Sequence, residues 1–264
     1  MHRMPIISLP MYDINHQATV GLTAALTTLL QQRDVPAEVA WPQDLLPHWR
    51  DDNVLLSQTC GYPLVELLPD VQLVGTFQSS AQGCDGLRYR SWLVARREDE
   101  QLMLSDFRGR RAVCNSNDSH SGFNALRYVI APLAHAGRFF SATHFSGSHR
   151  QSLAALRSGQ ADIAAIDCIT WALLRRNFPE ELAGLEIIGE TPLCAALPLI
   201  TSAKTDAATL VKLRSALKEL TSDRRYQDLL DESLIGGFSV TDRAFYAEVK
   251  AWKDYAEVHG VTTL

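Results

Sequence analysis

Short apolar runs alternate with longer amphipathic segments along most of the chain, and polar turns separate them. The segment 17–32 keeps an apolar face at helical spacing through Leu22, Leu26 and Leu29. The pattern predicts strands at 6–9, 37–41, 54–57, 73–77, 91–95, 111–114, 138–144, 161–166, 185–188 and 197–201. It predicts helices at 17–32, 122–133, 149–157, 169–175, 206–220, 224–230 and 242–258.

Alternation of this kind indicates an α/β protein with largely parallel sheets. The number of strands is high for one open sheet, and the chain can cross between two lobes near residues 89–96 and 190–198. We therefore predict a discontinuous first lobe, residues 1–93 and 191–264, and an inserted second lobe, residues 94–190. A cleft between two such lobes is a typical site for a small ligand.

Composition excludes several classes of function. The 264 residues carry 25 basic and 30 acidic side chains, a net charge of −5, and no long Lys/Arg run, which argues against nucleic acid or an anionic membrane as partner. No apolar run approaches the length of a transmembrane segment. The scattered histidines and five scattered cysteines lack the spacing of a metal site, so we expect no metal and no other cofactor.

The cellular compartment is open at this point. The first residues have too short an apolar stretch for a signal peptide. Five cysteines without a C-x-x-C pair favour reduced thiols, which are typical of the cytoplasm.

The polar loop that follows the apolar run 112–114 is the strongest candidate for chemistry. Ser119, His120 and Ser121 stand directly before a predicted helix. The first turn of a helix has unpaired N–H groups and partial positive charge, so this position suits an anion. The alternative is that Asp118 or Ser119 only caps the helix, and these residues taken alone favour the cap.

Five segments occur in an order that is similar to a known family: YRSWLVARREDE, LSDFRGRRAVCN, SHSG, GSHRQSLAALRSGQADIAAIDCITW and ALPLITS. Over residues 6–230 the chain resembles the phosphonate/phosphate substrate-binding proteins of ABC transporters, which have the two-lobed type 2 periplasmic-binding-protein fold. The resemblance implies a solute-binding protein that closes on a small anionic ligand and favours this role over that of an enzyme. It also implies a periplasmic location and an ABC-transporter permease as partner.

The same resemblance implies an oxyanion site. The family's S-[ST]-S-G motif corresponds to Ser119-His120-Ser121-Gly122, where His120 is a departure that either donates an N–H group or excludes the usual oxyanion by its bulk. The second contact loop of the family corresponds to GSHRQS, in which His149 points to the ligand. The alternative for His149 is a surface position beside a helix cap.

Further ligand contacts are implied at three aromatic residues and one acid. The family's aromatic positions correspond to Tyr12, Tyr62 and Tyr89. Tyr12 can also be a surface aromatic, and Tyr62 can be a packing or turn residue. Asp167 corresponds to the acid that recognises a ligand amine, and it can at the same time cap the helix that follows.

Two other functions stay open on the same fold: a cytoplasmic enzyme and a ligand sensor, each acting on a small anionic metabolite. In an enzyme His120, His149 or Asp167 would be the base, and Cys60 would be the nucleophile. No catalytic triad is recognisable, and Cys60 has the surroundings of a small buried hydrophobe, so we favour solute binding.

Overall fold

Residues 3–264, which the computed structural model of the chain describes, form thirteen β-strands and nine α-helices. The strands are β1 (Ile6–Ser8), β2 (Glu38–Val39), β3 (Val54–Gln58), β4 (Gln72–Ser79), β5 (Arg88–Tyr89), β6 (Ser91–Arg96), β7 (Arg111–Cys114), β8 (Ala142–Phe145), β9 (Ala164–Asp167), β10 (Leu185–Glu190), β11 (Cys194–Ala195), β12 (Pro198–Thr201) and β13 (Ile235–Ser239). The helices are α1 (His16–Gln31), α2 (Leu45–Trp49), α3 (Gly61–Glu66), α4 (Ala125–Ile130), α5 (His149–Arg157), α6 (Cys168–Asn177), α7 (Ala207–Ser222), α8 (Gln227–Glu232) and α9 (Ala247–Val258).

Every predicted helix and strand position contains an element of the predicted type, although several are shorter than expected. The strand predicted at 138–144 begins only at Ala142, because His135 and Arg138 close a tight turn before it. The prediction missed α2, α3, β5 and β11, which are too short to show a period. It also missed β13, whose Gly236 and Gly237 weaken the strand pattern. In the described part of the chain no helix combines the length and apolarity that crossing a bilayer requires.

The described chain divides into two compact units, as the number of strands led us to expect. Unit 1 comprises the described residues up to Ser80, Asp85–Arg88 and Ala195–Tyr246. Unit 2 comprises Ala81–Cys84, Tyr89–Cys194 and Ala247–Leu264. Two of the boundaries fall inside the short strands β5 and β11, which pair with each other.

This division differs from the predicted lobes in one large element, helix α9. The prediction placed the whole C-terminal segment in the first lobe, whereas α9 belongs to unit 2. Its buried residues Val249, Trp252 and Ala256 form an apolar stripe. Trp252 stacks on Tyr128 of α4 at 4.4 Å between ring centroids, and Ala256 joins the core cluster of unit 2.

Unit 1 is built on a six-stranded sheet in the order β13-β4-β12-β3-β1-β2. The pairs β1–β2 and β1–β3 are parallel, whereas β12 is antiparallel to β3 and β4, and β13 is antiparallel to β4. The core of this unit includes Leu26 and Leu29 of α1, Leu217 of α7, Leu56 and Val74.

Unit 2 contains the antiparallel sheet β10-β6-β9 and the parallel pair β7-β8. A parallel bridge between Ala112 and Ile163 joins β7 to the segment that leads into β9. The expectation of largely parallel sheets is therefore wrong, because the sheet of unit 1 is mixed and unit 2 combines an antiparallel sheet with a parallel pair. An apolar run shows that a strand is covered on both faces, and it contains no information about the direction of the neighbouring strand.

Candidate functional site

The carboxyl ends of three strands meet at one edge of unit 2. β8 runs parallel to β7, with Cys114 opposite Phe145, and the bridge at Ile163 places β9 on the other side of β7 in the same direction. The loops after β7 and β8 and the residue that ends β9, Asp167, each lead into a helix. Helix N-termini that gather at the carboxyl edge of parallel strands are a common setting for anion binding.

The loop after β7 enters a π-helical turn over His120–Asn124, and the turn continues into α4. The N–H of Asn124 donates to the carbonyl of Ser119 at 3.0 Å, a separation of five residues instead of four. The Ser119 Oγ accepts from the N–H of Gly122 at 3.0 Å. Ser119 therefore caps this helix, and its hydroxyl hydrogen can still be donated to a ligand.

Gly122 allows a close approach between this turn and the end of β7. A Cβ atom added at Gly122 would lie 1.9 Å from Asn115 Oδ1, a distance that real Cβ contacts do not show. Within residues 3–264, Asn115 Oδ1 is buried and has no hydrogen-bond partner. The Asn115 carbonyl accepts from the N–H of Gly147 at 2.8 Å, so the loops after β7 and β8 are joined at this point.

The predicted residues Ser121 and His149 are in direct contact, with 2.9 Å between Ser121 Oγ and His149 Nε2. His149 is the first residue of α5, whose N-cap Ser148 accepts from the N–H of Gln151 at 3.1 Å. Burial lowers the pKa of His149 to about 4, so the imidazole is neutral at pH 7. His149 Nδ1 is buried and has no hydrogen-bond partner in the described part of the chain.

Ser91, which the sequence reasoning missed, connects Ser121 to Asp167. Its backbone pairs with Asp167 across β6 and β9, and its Oγ donates to the Ser121 carbonyl at 2.8 Å. Asp167 Oδ1 accepts from the N–H groups of Ile169 at 2.7 Å and Thr170 at 3.2 Å. Asp167 is thus the N-cap of α6, the structural role that was judged compatible with ligand binding.

The ring of His120 packs near Tyr89 and Trp252, whose ring centroids are 6.3 and 5.1 Å away. His120 Nδ1 lies 3.0 Å from Asn124 Nδ2, which also donates to the Val249 carbonyl at 3.0 Å. An amide nitrogen is only a donor, so His120 Nδ1 accepts and Nε2 carries the proton. Burial lowers the pKa of His120 to about 3, and the ring is neutral. His120 thus connects the π-helical turn to α9.

The two other tyrosines of the prediction belong to unit 1, as does Cys60. Tyr12 is half-buried in the turn after β1, and Tyr62 is the half-buried second residue of α3. Cys60 precedes α3 and is buried. Contact of Tyr12, Tyr62 or Tyr89 with a ligand stays a prediction.

Asn124 and Trp252, which help to position the site, were not singled out from the sequence. Gly122 was part of the family motif, but its close packing on Asn115 was not predicted. Asn124 is fully buried, and its immediate neighbours Phe123 and Ala125 are apolar and buried. A polar residue at such a position usually has a specific hydrogen-bonding partner, and this pattern could have identified it. Its hydrogen-bond partners His120, Arg127 and Val249 are visible only in the folded chain.

The lowered pKa values of the two site histidines predict a loss of stability in mild acid. Below the unfolded pKa of 6.5 the unfolded chain takes up a proton at His120 and at His149, and the folded protein does not until much lower pH. The contribution of the two neutral histidines to the free energy of unfolding is complete above pH 6.5, and it decreases as the pH falls below that value. Urea unfolding at pH 5.0 should give a free energy of unfolding lower than at pH 7.5 by about 1–2 kcal/mol per histidine.

A matched pair of variants isolates this effect. His120→Gln should reduce the difference in the free energy of unfolding between pH 5.0 and pH 7.5. His135→Gln, at an exposed position, should leave this difference unchanged. Equal pH dependence in both variants would contradict the assignment.

Two of three comparisons with known proteins found relatives of this chain. A family model described as the periplasmic substrate-binding protein of phosphonate ABC transporters matches residues 16–246. No curated protein matches the sequence.

Solved structures share the fold at low sequence identity. PhnD1 from Prochlorococcus marinus, in complex with methylphosphonate, superposes with a TM-score of 0.79 at 17% identity over 96% of this chain and 98% of its own. A binding protein component of an ABC phosphonate transporter from Pseudomonas aeruginosa has a TM-score of 0.76 at 18% identity, over 98% and 88%. XAC2383 from Xanthomonas citri, bound to ATP, has a TM-score of 0.72 at 17% identity, over 96% and 98%.

Proposed function

The chain belongs to the family of periplasmic substrate-binding proteins of phosphonate ABC transporters, and we propose that its own ligand is a small phosphonate- or phosphate-like oxyanion held at the carboxyl edge of unit 2. Solute binding is the role of this family. The observation that carries the choice of ligand is the hydrogen bond between Ser121 Oγ and His149 Nε2 at the start of a helix.

In this proposal neutral donors bind the anion. His149 donates its Nε2–H to Ser121 Oγ, which turns the Ser121 hydroxyl hydrogen towards the ligand. The Ser119 hydroxyl and the N–H groups of the first helical turn donate as well. Hydrogen bonds to a charged acceptor are about twice as strong as neutral ones, so a site without a cation can hold an oxyanion.

We further propose that Tyr12, Tyr62 and Tyr89 shape the ligand site and that Asp167 recognises a positively charged group on the ligand. Family membership supports this assignment. It also supports the proposal that the protein is located in the periplasm and that its partner is an ABC-transporter permease. Asp167 lies at the same sheet edge as Ser121, through its pairing with Ser91.

Isothermal titration calorimetry with methylphosphonate, inorganic phosphate and acetate tests the ligand class. We expect a Kd in the micromolar range or below, about −8 kcal/mol, for a phosphonate or phosphate and no measurable heat for acetate. Ligand at about one hundred times Kd should stabilise the protein against unfolding by about 2.7 kcal/mol. Absence of binding by every oxyanion would reject the proposal.

The Ser121–His149 pair also has the arrangement of a nucleophile and a base, which favours an enzyme as second candidate. Phosphorus NMR of methylphosphonate and of a phosphate monoester, recorded after incubation with the protein, distinguishes the two functions. Unchanged spectra together with measured binding support the solute-binding protein, and a new phosphorus signal supports the enzyme.

The role of Asp167 can be tested without loss of the helix cap. Asp167→Asn keeps an Oδ1 acceptor for the N–H groups of Ile169 and Thr170 and removes the negative charge. We expect about tenfold weaker binding of 2-aminoethylphosphonate and unchanged binding of methylphosphonate. An equal change for both ligands would show that the carboxylate does not recognise the amine.

A further inference from the structure

Two of the five cysteines lie side by side in unit 2, and one of them, Cys168, directly follows Asp167. Cys84 Sγ and Cys168 Sγ are 3.6 Å apart, although 84 positions separate them in the sequence. Cys84 ends the segment Ala81–Cys84, and Cys168 is the first residue of α6. We propose that these two residues are a disulfide-forming pair that reacts with an external disulfide.

The backbone conformation of the segment Ala81–Cys84 brings Cys84 close to Cys168. Gly83 has φ +96°, and a Cβ atom added there would lie 2.6 Å from Trp92 Cζ2 and 3.0 Å from Cys168 Cβ. The turn that contains Gly83 closes with a hydrogen bond from the N–H of Cys84 to the Ala81 carbonyl at 3.1 Å. Glycine thus permits the segment to pack directly on Cys168. A disulfide has an S–S distance of about 2.0 Å, so side-chain rotation must shorten the contact by about 1.5 Å.

The surroundings of the two thiols set the order of the reaction. Cys84 is half-buried, whereas Cys168 is fully buried. The hydrogen bond with Cys84, together with burial and the adjacent Asp167, raises the pKa of Cys168 well above its ordinary value. Because the thiolate is the nucleophile, Cys84 is the residue that attacks first.

The exchange balances as two successive displacements. The Cys84 thiolate attacks one sulfur of an external disulfide, such as oxidised glutathione, and one thiol leaves. Cys168 then loses its proton and attacks Cys84 Sγ, which breaks the mixed disulfide and releases the second thiol. The two cysteines are oxidised to one disulfide, and the external disulfide is reduced to two thiols.

The test is incubation of the folded, reduced protein with oxidised glutathione, followed by alkylation, thiol counting and peptide mapping by mass spectrometry. We expect loss of two of the five thiols and a single linked peptide pair that contains Cys84 and Cys168. Cys168→Ala should instead accumulate a glutathione adduct on Cys84. Cys84→Ala should stay unmodified, because the four remaining thiols are buried.

Cys114→Ala is the matched control, because Cys114 is buried and burial raises its pKa to about 12. This variant should form the disulfide as the wild type does. The proposal is overturned if the wild type keeps all five thiols, if another pair is linked, or if glutathione stays on Cys84 with Cys168 present. The wild-type map alone decides these outcomes, even if a variant does not fold.

Discussion

Gly122→Ala is expected to lower the free energy of unfolding by about 1–3 kcal/mol, the usual cost of overpacking a tight contact. Replacing glycine with alanine at a helical position ordinarily stabilises a protein by about 0.5–1 kcal/mol. A decrease in the free energy of unfolding would therefore by itself indicate a steric clash. The physical reason is the 1.9 Å distance from the added Cβ to Asn115 Oδ1. Urea denaturation at neutral pH measures the effect. Because Ser121 is the preceding residue, binding of methylphosphonate should weaken as well.

A second substitution should relieve the clash. Asn115→Ala removes the obstructing oxygen, and this oxygen has no hydrogen-bond partner among the residues that the structure describes. The double variant should therefore be more stable than Gly122→Ala alone. Gly236→Ala is the control, since its nearest neighbour would be 3.9 Å away, and its stability should change little. If Gly122→Ala were as stable as the wild type, the close packing of the π-helical turn on the end of β7 would be refuted.

Ser121→Ala is expected to weaken binding of methylphosphonate by roughly 10–100-fold, which corresponds to loss of one hydrogen bond to a charged group. His149→Ala should have an effect of similar size, because His149 orients the Ser121 hydroxyl through the 2.9 Å contact. The double variant should lose less than the sum of the two effects, because both substitutions remove the same hydrogen-bonded unit. Isothermal titration calorimetry of the four proteins measures this coupling.

Ser152→Ala is a matched control for these variants. Ser152 lies in α5, the helix that His149 begins, but its Oγ contacts Ser146 Oγ at 2.7 Å and not the site. We expect native affinity in this variant. Unchanged affinity in Ser121→Ala would exclude Ser121 from the site, and strictly additive losses would show that Ser121 and His149 act independently.

Local order in this protein follows directly from the sequence. The bounds of α5, residues 149–157, are those predicted, because a cap at Ser148 and an apolar face are properties of contiguous residues. The sequence also suggested that Asp167 caps α6, because a cap depends only on neighbouring residues, and the structure shows this cap. Ser119, Ser121 and His149 were found through a family motif, and the structure brings Ser121 and His149 into contact.

Other features depended on partners that are distant in the sequence. Ser121 and His149 are 28 residues apart, and nothing in either segment indicates a 2.9 Å hydrogen bond. The packing of His120 is another example. The sequence suggested a ligand donor or a bulky barrier, and both roles stay predictions. The contact of its ring with Trp252, more than a hundred residues later, is visible only in the folded chain.

The sequence by itself determined the α/β class, the positions of most elements and the helix starts that carry the hydroxyl groups, because capping and periodicity act between near neighbours. Only the tertiary structure decided which unit α9 joins, which way neighbouring strands run and that Gly122 packs on Asn115. An apolar stripe such as that of Val249 and Trp252 requires burial, but the hydrophobic effect is non-directional and does not specify the partner surface. That choice is made by the shape and hydrogen bonds of the assembled unit.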